Sequence, residues 1–346
     1  MRPLPGLRLG GLSVTLLVLG RQKRGVTFVE QPARSVLNPP QSTGMPFWSL
    51  NPYIGCEFGC TYCYARFAHG YAVDRARQTA RFPEGTLPQA GPEWERFERL
   101  ILVKRRHDFV AALDRDLARL RRRMPDGPQS LSIGTATDPY QPAERRFELT
   151  RAALGRLAAE RGLYISLVTK STLVRRDTDL LTALARHHRV AVHISLISAD
   201  PRLVRRFERR SPLPHARLRT LAALAAAGVP AGLICAPVLP GITDGRAALE
   251  RLLAAVRDAG GRFAFAVPLR LPRGARDPFL PVVARYFPRL LSRYLAAYRA
   301  TTGAPARYAA WLARRFAALA RRAGLSTHAF ADRTPSPYAE QLALWP

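Results

Sequence analysis

The chain has 346 residues, 47% of them hydrophobic and 9% aromatic, enough to bury a large core without disulfide staples. Its 54 Lys and Arg against 25 Asp and Glu give a formal net charge of +29, yet only Lys23, Lys104 and Lys170 are lysines. Four cysteines, three of them inside the stretch 56–63, exclude a secreted disulfide framework, and no apolar run approaches the ~20 residues of a membrane span.

The N-terminal run LSVTLLVL (Leu12 to Leu19) follows Arg2 and Arg8 in the manner of a weak signal sequence. Arg21, Lys23 and Arg24 then occupy the place where a small-residue cleavage site should lie. Residues 1–45, rich in Pro, Gly and Arg, read as a disordered or irregular tail. Residues 46–272 read as one α/β core domain, and residues 273–346 as a helical, Arg-rich extension.

Within the core, MPFWSLNPY leads into a cysteine loop, and a Pro- and Gly-containing insertion spans Phe82 to Pro92. Helical periodicity runs over Phe109 to Arg123, Thr150 to Arg161, Asp177 to His187, Pro201 to Ala227 and Arg246 to Ala259. Strand-like apolar runs cover Ser130 to Ala136, Leu163 to Lys170, Arg189 to Ser198, Val229 to Pro240 and Arg262 to Arg270. Apolar strands alternating with helices predict a parallel sheet covered by helices, with right-handed crossovers. Six such units predict a partial (βα)6 barrel or a doubly wound sheet.

Polar residues gather after the strands. The cysteines follow the first, TATDPYQPAE the second and Lys170 the third; Ser195 lies in the fourth, Ala236 and Pro237 in the fifth, and Arg270 ends the sixth. Sites in parallel α/β folds form at the C-terminal ends of strands, so these groups should meet at one mouth.

Cys56, Cys60 and Cys63 have the spacing C-x3-C-x2-C. Three thiolates can bind zinc if a fourth ligand exists, and His69 is the candidate. They can equally hold three irons of a cubane cluster and leave the fourth open to a small molecule. Gly55 and Gly59 would let the backbone pass close to such a cluster.

CEFGCTYC resembles the cluster motif of radical S-adenosylmethionine enzymes, including the aromatic Tyr62 before the third cysteine. The segments IGTATDPYQPAE, LVTKSTLVRRD, HISLIS, FERRSPLPHARL and AAGVPAGLICAPVLPG resemble the branch related to spore photoproduct lyase, within it a group carrying the TDPYQPxE motif. The resemblance covers Pro46 to Pro272. It implies a partial (βα)6 barrel of the radical S-adenosylmethionine type. It implies a 4Fe–4S cluster on Cys56, Cys60 and Cys63, with S-adenosylmethionine on the open iron. One electron from a flavodoxin- or ferredoxin-type donor would cleave that cofactor to a 5′-deoxyadenosyl radical, which abstracts a hydrogen atom from a substrate.

The same resemblance implies cofactor contacts at Tyr62, Thr137, Lys170, Ser195 and Ala236. Lys170 would neutralise the cofactor carboxylate, Thr137 would hydrogen-bond to it, and Ser195 would bond a ribose or carboxylate oxygen. Ala236 would let its backbone approach the adenine. Thr135 departs from the lyase, which has a cysteine hydrogen donor there, and a hydroxyl is a poor hydrogen-atom donor. Two other readings are DNA photoproduct repair and a zinc-stabilised nucleic-acid-binding protein. The basic charge makes nucleic acid a possible partner in either, although arginine bias can also follow genome composition.

Several residues allow two readings. Asp138, Tyr140 and Glu144 either cap the next helix or face the site. His193 faces core or site. Tyr64 and Phe67 read as packing residues, and Cys235 as a small buried hydrophobe. Clustered cysteines and the lack of a span point to the cytoplasm.

Overall fold

The structure, a computed structural model, describes residues 14–22, 25–86, 93–123 and 129–330. Its central sheet has seven strands: β1 (Leu37–Asn38), β2 (Trp48–Leu50), β3 (Ser130–Ile133), β4 (Tyr164–Thr169), β5 (Arg189–Ser195), β6 (Ala231–Val238) and β7 (Ala264–Pro268). The strands lie side by side in chain order. From β2 to β7 every pair is parallel, and β1 is added antiparallel to β2. The six expected strands are therefore present, in the order of a (βα)6 unit. The ladder remains open, with β1 and β7 at its edges.

Parallel neighbours require crossovers, and the helices Leu149–Leu157, Thr178–Ala185, Pro214–Ala226 and Arg246–Asp258 provide them. Each buries an apolar stripe, such as Leu249, Leu252, Leu253 and Val256 of the last. Strands β4 and β5 are almost wholly buried, as expected for a sheet covered on both faces. Register sets Val168 beside His193, His193 beside Gly232, and Ser195 beside Ile234, which matters for the site.

The C-terminal extension is helical over Arg273–Tyr286, Pro288–Ala297 and Ala306–Arg322. The last helix buries Leu312, Phe316, Leu319 and Ala320. Past it, the Ala264 amide donates to the Ser326 carbonyl at 2.8 Å, and the Ser326 amide to the Arg262 carbonyl at 3.0 Å. The extension thus occupies the edge of β7 that would otherwise expose unpaired backbone groups.

The N-terminal segment departs from the irregular tail that its composition suggests. Over its described residues it forms Val14–Thr15, Val18–Arg21 and Thr27–Gln31 before β1. Thr27–Gln31 pairs in parallel with Leu100–Lys104, which pairs in turn with Tyr53–Ile54, giving a second sheet beside the cysteine loop. Val26, Phe28 and Val29 are buried there. Thr27–Gln31 also pairs antiparallel with Val18–Arg21, but its parallel partner lies some seventy residues downstream, where local periodicity carries no sign of the pairing. In the signal-like run, Val14 to Leu19 belong largely to strands and Leu16 is buried, while Leu12 and Ser13 lie outside the described residues. Of the expected insertion, residues 87–92 also lie outside them. Among the described residues no helix is long and apolar enough to cross a membrane.

Candidate active site

The cysteine loop is shaped by its neighbours on all sides. Gly55 has φ of +94° and Gly59 of +61°, and a Cβ at Gly55 would stand 2.6 Å from the Leu100 carbonyl oxygen. The Cys56 amide donates to the Phe97 carbonyl at 2.9 Å. Thr137 donates its hydroxyl to the Gly55 carbonyl at 2.6 Å, and Gln141 Nε2 donates to the same oxygen at 3.0 Å. Gln141 Oε1 accepts from the Glu57 amide at 3.0 Å, and Glu57 Oε1 from the Ala143 amide at 2.7 Å. The TDPYQPAE turn is thereby fastened to the cysteine loop through both backbone and side chains.

A second clamp comes from the chain after β5. The Thr61 amide donates to the Phe207 carbonyl at 2.9 Å, and Cys60 forms an isolated bridge with Glu208. Glu208 accepts from the Tyr62 hydroxyl, from Arg217 Nη2 and, at 2.7 Å, from the Ser211 hydroxyl. Burial alone would raise the Glu208 carboxyl, but Arg217, Lys170 and these hydrogen bonds bring it down to about 2. Arg66, three residues past the last cysteine, donates to the Cys60 carbonyl at 3.0 Å and to Glu98 at 2.5 Å.

All four cysteines are free. Cys56, Cys60 and Cys63 line one cavity of about 320 Å³. Burial first, then the neighbouring Asp138, Cys60 and Cys63, hold the Cys56 thiol well above the ordinary range. Burial and Glu208 raise Cys60, and burial raises Cys63. Thiols that disfavour one another's ionisation stand close together, and they would release protons on binding a metal centre. Three such thiols facing one cavity from a glycine-shaped loop fit a cluster with three protein ligands.

His69 does not join them. It is buried with Nε2 against the Leu100 carbonyl at 3.0 Å and its ring edge-on to Phe97 at 5.6 Å, which leaves the zinc reading without its fourth ligand. Among the described residues no three His, Cys, Asp or Glu groups converge as a single-ion site.

The strand ends supply the opposite wall. Thr135, Thr137 and Asp138 after β3, Lys170 after β4, Ser195 of β5, Ala236 of β6 and Arg270 after β7 all line the cavity. Lys170 Nζ donates to the Ser195 hydroxyl at 2.7 Å and lies 5.8 Å from the centre of the Tyr62 ring. Asp138 accepts from the Tyr140 amide at 2.9 Å, the Thr169 hydroxyl at 2.7 Å and the Lys170 amide at 2.7 Å. Asp138 therefore fixes the start of the loop that carries Lys170. Glu144 is wholly buried, accepts from Tyr53 at 2.5 Å and caps the following helix through the amides of Thr150 and Arg151.

Among the described residues lining the cavity, His193 has no hydrogen-bond partner. His193 is 4% exposed and lines the cavity one side-chain layer below Ser195, with both ring nitrogens unbonded. Phe263 and Phe265 flank its ring at 4.9 and 5.4 Å, and burial lowers its pKa to about 3.

A model of the radical SAM superfamily matches residues 50–253. This chain belongs to that superfamily. An uncharacterized protein of Mycobacterium tuberculosis (strain ATCC 25618 / H37Rv) is 36% identical over 345 residues, covering 99% of this chain and 93% of the relative. An uncharacterized protein of Methanocaldococcus jannaschii is 24% identical over 63% of this chain and 70% of its own. Two variants of spore photoproduct lyase share the fold. One has a TM-score of 0.61 at 14% identity, covering 87% of this chain and 81% of its own. The other has a TM-score of 0.58 at 15% identity, covering 86% and 78%. As a radical SAM enzyme the protein uses a 4Fe–4S cluster and S-adenosylmethionine, and it depends on an external electron donor.

The positions expected to meet the cofactor share this cavity. Thr137, however, commits its hydroxyl proton to the Gly55 carbonyl and accepts from Gln141 Nε2 at 2.9 Å. Tyr62 gives its hydroxyl to Glu208. Sequence reasoning missed Gln141, Glu57, Glu208 and Arg217, all of which hold the loop. Glu208 and Arg217 stand among Arg202, Arg205, Arg206, Arg209, Arg210 and Arg219, so no local pattern singles them out.

Proposed function

We propose that Cys56, Cys60 and Cys63 are the three ligands of the 4Fe–4S cluster, and that Lys170 and Ser195 bind the methionyl end of S-adenosylmethionine. The observation that carries this reading is the shared cavity, with three free thiols on one wall and the Lys170–Ser195 pair on the other. When bound, the reduced cluster would supply one electron for reductive cleavage of the sulfonium of S-adenosylmethionine and so for hydrogen-atom abstraction from the substrate. The Lys170 ammonium offers further N–H donors to a carboxylate while it holds the Ser195 hydroxyl. Glu208, through Tyr62, sets the position of the loop against that ammonium. Thr137 and Gln141 hold the Gly55 carbonyl, and so the entry into Cys56. Ala236 lines the cavity with a methyl group, which leaves its backbone open to a planar base. The apolar walls Phe47, Phe97 and Phe265 exclude water from a reactive intermediate.

Reconstitution under anaerobic conditions should give a brown protein that converts S-adenosylmethionine to 5′-deoxyadenosine and methionine under dithionite. Alanine at all three cysteines should abolish colour and cleavage. A colourless, iron-free protein after reconstitution would sink the assignment.

A substrate other than a DNA photoproduct is favoured by Thr135. It lines the cavity with its hydroxyl accepting from Asn51 Nδ2 at 3.0 Å, so the place of the lyase thiol is taken. The remaining cysteine, Cys235, alternates to the opposite face of β6 from Ile234 and Ala236 and is wholly buried. The electron donor is of flavodoxin or ferredoxin type, and a cytoplasmic location suits free, oxidation-sensitive thiols.

A further inference from the structure

Phe67, which its sequence context suggests is a packing residue, is 68% exposed. Tyr71 is 70% and Tyr64 is 41% exposed, and these three belong to only seven large exposed hydrophobics among the described residues. Phe67 and Tyr71, four residues apart, face outward together on the helix Ala65–Thr79, while Tyr64 just before it turns its hydroxyl to the Thr135 carbonyl. The opposite side of the same helix buries Ala65, His69, Val73 and Ala76. Two large aromatic side chains exposed together on one helix face mark a contact surface.

Its position indicates what it contacts. The helix begins two residues after Cys63, and Tyr64 both lines the cysteine cavity and reaches the surface. No other large exposed hydrophobic among the described residues has a place in that cavity. The start of the helix Arg273–Tyr286 abuts this face, since a Cβ at Gly274 would stand 3.7 Å from the Phe67 amide nitrogen. Arg273, next to Gly274, is exposed. The chain as a whole carries +29.

We propose that Phe67 and Tyr71, with Arg273 beside them, form the docking face for the electron donor, an acidic one-electron redox protein. This rests on the reading of Cys56, Cys60 and Cys63 as cluster ligands. Electron transfer slows steeply with distance, so the donor must seat near the cluster, and this face is the surface that continues directly from the third ligand. Aromatic side chains give a desolvated contact centre at low entropic cost. A strongly basic surface attracts an acidic partner and speeds its encounter. One electron leaves the reduced donor and one enters the oxidised cluster; no bond or proton is exchanged across the face.

The test compares two reductants on the cluster-loaded full chain, reading 5′-deoxyadenosine. Reduced flavodoxin or ferredoxin with its reductase drives one arm, and dithionite, which needs no docking, drives the other. Phe67→Ser with Tyr71→Ser should raise the flavodoxin concentration for half-maximal rate about tenfold, equivalent to ~1.4 kcal/mol. Arg273→Glu should weaken the same arm and reduce its dependence on salt. The dithionite arm should be unchanged by all three substitutions, which also shows that each variant folds and binds its cluster. An equal loss in both arms, or no change with flavodoxin, overturns the docking face. So does loss of single-stranded oligonucleotide binding in the variants with flavodoxin-driven rates intact, which would reassign the face to nucleic acid. Failure of dithionite to drive cleavage in the unsubstituted protein would instead overturn the cluster assignment, and the docking face with it.

Discussion

Glu208 and Arg217 form an ion pair with both side chains wholly buried, and the pair holds the hydroxyl of Tyr62 between the second and third cysteines. Arg217 also donates to the Ser195 carbonyl at 2.7 Å, so one guanidinium links the cysteine loop to the strand that carries Ser195. Removing one member of such a pair leaves an uncompensated charge, at a cost of about 3–5 kcal/mol. Glu208→Ala should therefore lower the denaturant midpoint steeply and reduce iron bound after reconstitution. Glu208→Gln with Arg217→Met should recover stability more than iron content, because Tyr62 still lacks its carboxylate acceptor. If stability and iron return together, the pair serves only the core.

Lys170 provides a separate test, on cofactor binding. Its Nζ holds the Ser195 hydroxyl and faces the cysteines across the cavity. Lys170→Met keeps much of the side-chain volume and removes a charge-assisted hydrogen bond worth about 1.5–3 kcal/mol. The dissociation constant for S-adenosylmethionine should rise ~10- to 100-fold in calorimetry, with iron content unchanged. Unaltered affinity would remove Lys170 from the cofactor site.

The parallel sheet was legible because β3 to β7 are apolar runs separated by helices with their own period, and each signal is local. The gathering of cysteines, Lys170, Ser195 and Ala236 was legible for a related reason, since strand ends in a parallel sheet share one edge. What escaped was long-range or reciprocal. Thr27–Gln31 pairs on one side with the nearby Val18–Arg21, but its second partner, Leu100–Lys104, lies far along the chain. Glu208 matters only because Arg217 neutralises it and Tyr62 reaches it. Thr137 also donates to the Gly55 carbonyl, an acceptor that no local pattern reveals. Phe67 shows the converse, an apolar residue read as packing in a helix whose buried face lies elsewhere.

Gly55 tests whether the loop's backbone path is required. Its φ of +94° disfavours any side chain, and a methyl group would strike the Leu100 carbonyl at 2.6 Å and Ile101 Cδ1 at 3.0 Å. Gly55→Ala should cost about 1–3 kcal/mol and displace the Gly55 carbonyl from Thr137 and Gln141. Iron retention should fall further than in Gly70→Ala, where a Cβ meets nothing within 4 Å. Equal iron retention in the two variants would show that the loop adapts.

His193 makes a prediction about pH. Burial alone lowers its pKa to about 3, against an ordinary value of ~6.5, and Phe263 and Phe265 enclose its ring. Below about pH 6.5 the unfolded chain takes up a proton at this ring, while the folded chain does so only near pH 3. The residue therefore costs stability as pH falls through that window, at about 1.4 kcal/mol per pH unit. His193→Leu removes two orphaned nitrogens from an apolar setting and should leave stability at pH 7 equal or higher. The advantage of the variant should then widen as pH drops from 6.5 to 5, read as a divergence of urea midpoints. Parallel midpoints over that range would mean that the folded protein protonates His193 as readily as the unfolded chain, and that its ring reaches a partner on acidification.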